Sequence, residues 1–279
     1  MNVRRPATIR PFRAADFDGA LAANDAVGWG QRRVLFEFYG PRDDTALFVA
    51  EVGGAVVGTG GATVFPGAPV TGWVHGIVVR PEHQRAGLGA RLTQAAIAWL
   101  RARTVGTVLL LATDAGRPVY ERLGFVAGER YGAFVWPTVG VAHAAAIERL
   151  ASGHLAAVCA LDGEATGEDR SRFVASVAER GWVVTRSGEV VGFHLPCPWG
   201  GGPTIAREPG AGLALLRHSA SVQREPSRTV GLPEANTAAV QYLARLGITS
   251  ERSVTRMWLG APPHWRPEMI FGVFNFGVA

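Results

Sequence analysis

Gln84 and Arg85 stand just ahead of Gly87 and Gly89 in "PEHQRAGLGARL", residues 81 to 92, after the strand-like "GWVHGIVV" and before an apolar pattern of helical spacing. A strand that stops, a glycine loop and a helix start make an anion cradle. The first amides of a helix have no internal partners, its dipole adds partial positive charge, and glycine lets a phosphate approach the backbone closely. The loop Gln84-Arg85-Ala86-Gly87-Leu88-Gly89 supplies that geometry. Other phosphate loops do not fit: the chain has no Lys for a Walker sequence, and the spacing is not GxGxxG with a ribose-binding acid after the next strand. The same glycines would also serve a ligand-free strand-to-helix turn, and the loop by itself leaves both readings open.

The elements that must position this loop follow from apolar periodicity and turn residues. "ATIRPF" reads as a strand, and Asp16 is placed to cap the helix "FDGALAANDA". "ALFVAEVGGAVVGTGGATVF" reads as a hairpin around Gly53-Gly54. "GWVHGIVV" is a strand stopped at Pro81, which lacks the donor a ladder needs. Leu88, Leu92, Ala95, Ala96 and Trp99 then recur at helical spacing, leaving Arg91, Gln94 and Arg101 outward. With "TVLLLAT" as a buried strand, the order strand, helix, strand implies a parallel crossover.

The second half repeats the first in a worn form. "FVAEVGGAVVG" (48 to 58) lies on "WVVTRSGEVVG" (182 to 192), and "YERLGF" (120 to 125) on "LARLGI" (243 to 248), in the same order but at different spacing. A duplication with a shorter middle explains both. "VWPTVGVAH" marks a boundary near residue 140, giving domains 1–140 and 141–279.

Composition narrows the class. A chain of 279 residues, 48% hydrophobic, buries a substantial core in one large or two medium domains. The net +5 comes from scattered Arg alternating with carboxylates, without a basic and aromatic run, which speaks against nucleic acid but suits a polyanionic small molecule. Cys159 and Cys197 form no CxxC and match no metal spacing, so two buried thiols in a reducing compartment are expected, with no metal. The N-terminus lacks an apolar signal region and no apolar run reaches membrane length, so the reading is a cytoplasmic chain with no membrane partner. The oligomeric state is not legible.

"VVRPEHQRAGLGARL" closely resembles the cofactor signature of the GNAT superfamily of N-acetyltransferases, Gln/Arg-x-x-Gly-x-Gly/Ala after a Val-x-Pro strand end. "ATDAGRPVYERLGF" resembles the superfamily's later segment, in which Tyr precedes a Leu-Gly-Phe turn. The resemblance spans nearly all of residues 7 to 136, departing at Asp114 and Gly116, where many relatives carry Asn and Ala. The second half resembles the degenerate acetyltransferase-like domain appended to some bacterial members; its "AREPGAGLALL" keeps glycine before a helix but not the spacing. The resemblance implies an α/β protein of two tandem GNAT-like domains, each a mixed sheet flanked by helices.

It further implies acetyl-CoA, with pyrophosphate on the amides of Arg85 to Ala90, pantetheine along the backbone of Ile77, Val78 and Val79, and contacts at Ala115, Gly116 and Tyr120. Tyr120 falls where many relatives place the general acid for the departing thiolate, a task a phenol with a pKa near 10 can perform; packing ahead of the turn is its plainer role. His75 lies in register with Trp73, Ile77 and Val79, and strand alternation puts all four on one face, where relatives often hold a base. A structural His is the plainer reading there. Direct attack needs no covalent enzyme intermediate, and neither Cys lies in either motif. The acceptor expected is a small-molecule amine, with a non-enzymatic CoA sensor or an acetyltransferase acting on a protein amine as alternatives. The acidic run "ALDGEATGEDRSRF" (160 to 173) reads as a helix cap with solvated charges, "PCPWGGGPT" (196 to 204) as a lid or long turn, and Trp29, Trp136, Trp182 and Trp199 as core.

Overall fold

Paired glycines at positive φ, Gly53 at 59° and Gly54 at 85°, close the first hairpin with the twist its strands need. The computed structural model describes residues 6–30, 33–40, 42–136, 147–222, 229–262 and 264–279. In chain order these form β1 (Ala7–Pro11), α1 (Phe17–Asp25), α2 (Arg33–Tyr39), β2 (Thr45–Val52), β3 (Ala55–Phe65), β4 (Thr71–Val79), α3 (Leu88–Arg101), β5 (Thr107–Ala112), α4 (Arg117–Arg122) and β6 (Val126–Val135). The second half continues with β7 (Ile147–Arg149), α5 (Leu155–Thr166), α6 (Ser171–Val177), β8 (Trp182–Arg186), β9 (Glu189–His194), β10 (Thr204–Ala206) and α7 (Pro209–Val222). It ends with β11 (Thr229–Pro233), α8 (Thr237–Arg245), β12 (Ser250–Leu259) and β13 (Ile270–Gly272). The boundary expected near residue 140 lies outside the described residues.

The two halves exchange strands. One sheet has eight strands in the order β1-β2-β3-β4-β5-β12-β6-β11, the other five in the order β13-β10-β9-β8-β7. β12 of the second half runs antiparallel to β5 of the first, with Met257 opposite Leu110, while β6 pairs with β11, Phe134 opposite Val230. Closing one half's sheet therefore needs a strand of the other.

The internal repeat is visible at the ends of α4 and α8. Phe125 N–H donates to the Tyr120 carbonyl at 3.1 Å and Ile248 N–H to the Leu243 carbonyl at 3.0 Å, each after a glycine at positive φ, Gly124 or Gly247. The tyrosine of the first copy is thus a core leucine in the second.

β4, α3 and β5 form the parallel crossover. Leu88, Leu92, Ala96 and Leu100 of α3 share one core with Val57 and Ala62 of β3 and Val108 and Leu110 of β5, while Arg91, Gln94 and Arg101 face solvent. Each buried Leu contributes about 1.5–3 kcal/mol. The opposite sheet face, through Phe65, Trp73, Leu109 and Tyr131, packs on Leu161, Phe173 and Val174 of α5 and α6 and on Phe274.

Two expectations are corrected here. Asp16 does not cap α1: its carboxylate turns back to accept from Arg13 N–H and from Arg10, both at 2.7 Å, closing the turn 14–16 that precedes the helix and holding the guanidinium by a charge-assisted bond. The acidic run is only partly solvated. Asp162 and Arg170 form an ion pair at 2.7 Å with both side chains 1% exposed, and Arg170 also donates to the Ala279 carbonyl. Glu168, also buried, accepts from Thr71 Oγ1 at 2.6 Å and Trp73 Nε1 at 3.0 Å, tying the second half to β4. Cys197 is buried and Cys159 half-buried, and both are free thiols. No helix among the described residues is long and apolar enough to cross a membrane.

Candidate active site

β4 and β5 pair only at Thr71–Trp73 with Thr107–Leu109. Beyond Trp73 the edge of β4 has no β5 partner, so the two parallel strands open into a cleft. A bulge sits at that point. His75 pairs with Gly61 and Val78 with Thr59, so Gly76 and Ile77 together oppose Gly60, and Gly76 has φ +62°. The bulge overturns the single-face reading of β4. Trp73 and His75 keep one face, but Ile77 moves to the α3 face, where a Cβ on Gly60 would lie 2.8 Å from Ile77 Cδ1, and Val79 opposes Gly58, whose Cβ would touch Leu92.

The glycine loop lies at the end of β4. Gln84 Nε2 donates to the Val79 carbonyl at 2.9 Å, tying the loop to the strand. Arg85 at φ 59° and Gly87 at φ 77° turn the chain, and the first helical bond of α3 is Arg91 N–H to the Gly87 carbonyl. The amides of Leu88, Gly89 and Ala90 therefore precede any helical partner. A Cβ added to Gly89 would meet nothing nearer than Ile77 Cγ2 at 4.0 Å, which leaves the surface before these amides open. This geometry fits a phosphate group.

Loop and cleft open into one cavity of about 800 Å³. Ile77, Val79, Gln84, Arg85, Gly87, Leu88, Gly89, Ala90, Ala115, Gly116, Tyr120 and His75 all line it. Val78 and Ala86 do not; Val78 is buried within the sheet. The Thr113 carbonyl, not anticipated, accepts from Gly116 and Arg117 N–H at 2.9 and 2.8 Å and so shapes the start of α4.

Tyr120 is buried against Phe125, ring centroids 6.0 Å apart, and its hydroxyl makes no hydrogen bond to a described residue. Burial pushes this phenol up to about 12. His75 has Nε2 3.0 Å from Thr63 Oγ1 and a second bond to the Ala62 backbone, and its ring stacks on Tyr39 at 4.2 Å. Burial lowers its pKa to about 3, so the ring is neutral at neutral pH.

The far side of the cavity comes from elements that motif reading passed over. Tyr39 of α2 accepts from Asn275 Nδ2 at 3.0 Å, joining the halves across the cavity wall. Trp29, Trp199 with Gly200–Gly202, and Val273–Gly277 complete the wall, so the "PCPWGGGPT" loop and two of the four tryptophans serve the cavity. Trp136 is core, as expected. Arg85, Arg122 and Arg252 line the cavity, and no described carboxylate does.

The corresponding cleft of the second half is filled. β13 pairs with β10 and hands Val273 N–H to the Gly231 carbonyl of β11 at 2.9 Å, so it occupies the gap between those strands. Its Phe271 packs on Gly212 at the start of α7.

Two family profiles match the sequence in tandem, "Acetyltransferase (GNAT) family" over residues 20–125 and "Acetyltransferase (GNAT) domain" over residues 158–272. The chain belongs to the GNAT acetyltransferase family. Both GNAT domains carry a sheet flanked by helices. The whole GNAT pair is similar in fold to a protein described as a candidate acetyltransferase from Pyrococcus horikoshii, at 20% identity and a TM-score of 0.82 over 98% of this chain and 96% of the other. It is also similar to a GCN5-related N-acetyltransferase from Sphaerobacter thermophilus, at 18% identity and a TM-score of 0.61 over 92% of this chain and 98% of the other. A third likeness, at 11% identity and a TM-score of 0.66, covers 92% of this chain and 38% of a fungal multi-domain GH3 beta-N-acetylglucosaminidase with a GCN5-related glucosamine N-acetyltransferase region. No curated protein matches the sequence. GNAT proteins generally use acetyl-CoA, and among the described residues no cluster of His, Cys, Asp or Glu is placed to hold a metal.

Proposed function

We propose that the chain transfers the acetyl group of acetyl-CoA to the amine of a small molecule, in a cytoplasmic setting that suits its two free thiols. The observation that carries this reading is the continuity of the large cavity, which joins the open amides of Leu88–Ala90 to a pocket walled by Tyr39, Trp199 and Val273–Gly277. A wall built from both halves suits a small acceptor better than a protein surface. Acetyl-CoA, when bound, supplies an activated thioester. The loop amides and Arg85 would hold its phosphates, and the unpaired edge of β4 from Val74 to Val79 offers backbone groups to its extended arm.

Tyr120 keeps its proton at any physiological pH, because burial holds the phenol at about 12, and so remains a donor for a departing thiolate. The basic role expected of His75 does not fit its surroundings: Nε2 is engaged by Thr63 of β3 and burial depresses its basicity. We assign His75 as a positioning residue that holds Tyr39 by stacking. The acceptor amine then enters neutral and loses its proton to solvent. Three arginines without a described carboxylate on the cavity wall disfavour polycationic acceptors.

A turnover screen with acetyl-CoA against amino acids, simple amines, amino sugars and polyamines tests the proposal through release of free thiol. Turnover with an uncharged or carboxylate-bearing amine, and little with polyamines, is expected. Binding of acetyl-CoA without transfer to any acceptor would favour the sensor reading. Transfer confined to a polypeptide amine would favour a protein substrate.

A further inference from the structure

Arg256 of β12 is 4% exposed, yet its guanidinium makes no hydrogen bond and no ion pair with any described residue, its one direct contact among them being the Trp265 ring. Five N–H donors are therefore left without a described protein partner on a side chain that faces a cavity. The side chain lines a second cavity of about 270 Å³, none of whose lining residues belongs to the large one. The walls are built for it. Arg256 lies where the pairing of β12 with β6 slips, between Thr255 opposite Arg130 and Met257 opposite Ala127, so Gly128 and Glu129 face it across a bulge. Only glycine fits at 128, because a Cβ there would lie 2.2 Å from Trp258 Cζ3. Trp265 covers the cation, the guanidinium carbon lying 4.7 Å from its ring centroid.

We propose that this cavity binds a small organic carboxylate, its two oxygens on the Arg256 guanidinium and its apolar body between the indoles of Trp258 and Trp265. A planar fork of donors matches a carboxylate. The other charges facing the site limit the ligand to a monoanion: Glu168 is buried close enough to feel the Arg256 charge, and exposed Glu129 stands at the rim, with His264 beside it. The volume admits a ring or a short chain and excludes a nucleotide or CoA.

The test titrates the full chain with benzoate and, separately, with its neutral isostere benzamide, following the indole N–H resonances of Trp258 and Trp265, each assigned from a Trp→Phe variant. Benzoate is expected to shift both resonances saturably, and benzamide to bind at least about ten-fold more weakly, as loss of a charge-assisted bond implies. Arg256→Met should weaken benzoate by a similar factor while the remaining resonances stay dispersed. Should that variant fail to fold, the benzoate and benzamide contrast on the unaltered chain decides alone. Equal affinity for the two probes, or no shift at either indole, would overturn the proposal.

Discussion

Phe271 lies against Gly212 so closely that a Cβ on that glycine would sit 2.2 Å from the ring, whereas a Cβ on Gly89, two residues after Gly87 as Gly212 is two after Gly210, would have 4.0 Å of clearance. Gly89 faces open space, and Gly212 in the matching place faces a phenylalanine. One acetyl-CoA per chain is therefore expected. Calorimetric titration should saturate at a single equivalent; two would show that β13 leaves its cleft.

Gly87 and Gly89 separate two roles that sequence reading merges. Gly87 sits at φ 77°, so Gly87→Val strains the loop itself, by about 1–2 kcal/mol. Gly89 is helical with free space above it, so Gly89→Val should leave the fold intact while blocking phosphate approach. We expect acetyl-CoA affinity to drop at least about ten-fold, the effect of losing charge-assisted bonds. Unchanged affinity in a folded Gly89→Val chain would remove the cradle from the mechanism.

Tyr120→Phe deletes only a hydroxyl that has no described partner, so packing should survive. If the phenol protonates the thiolate, kcat should fall by roughly 10²-fold with little change in acetyl-CoA affinity. Because burial raises the phenol to about 12, the loss should be the same across pH 7 to 10, with no phenol ionisation in that range of the kcat profile. Near-full turnover by the variant would leave Tyr120 a packing residue.

His75 and His194 are both buried, with pKa values lowered from 6.5 to about 3. The unfolded chain binds these protons first, so their contribution to stability is present above pH 6.5 and is lost as pH falls toward 3. Melting temperature should decline through this window, and His75→Gln should flatten the decline. A parallel slope in the variant would mean that His75 protonates freely in the fold.

The tandem architecture was legible in the sequence because its signals are local. The Gly53-Gly54 turn, the spacing of Leu88, Leu92 and Ala96, and the shared "RLG" endings of the two copies depend on neighbours a few residues apart, and the strand, helix and turn they imply form as read. The glycine loop was legible for the same reason: Gln84 to Ala90 carry their amides to one place by chain continuity alone.

Tertiary structure decided the rest. The bulge at Gly76 separates Trp73 and His75 from Ile77 and Val79, and only the register with Gly60 and Gly61 reveals it. Glu168 is buried against Thr71 and Trp73 of the other half, and Asp162 and Arg170 are buried as a pair beside Ala279; residues of that polarity read as solvated until their partners are in place. The exchange of β6 and β12, the closing of the second cleft by β13 and the meeting of Tyr39 with Asn275 join segments far apart in the chain. Side-chain periodicity records which face of an element is buried, not which distant segment covers it.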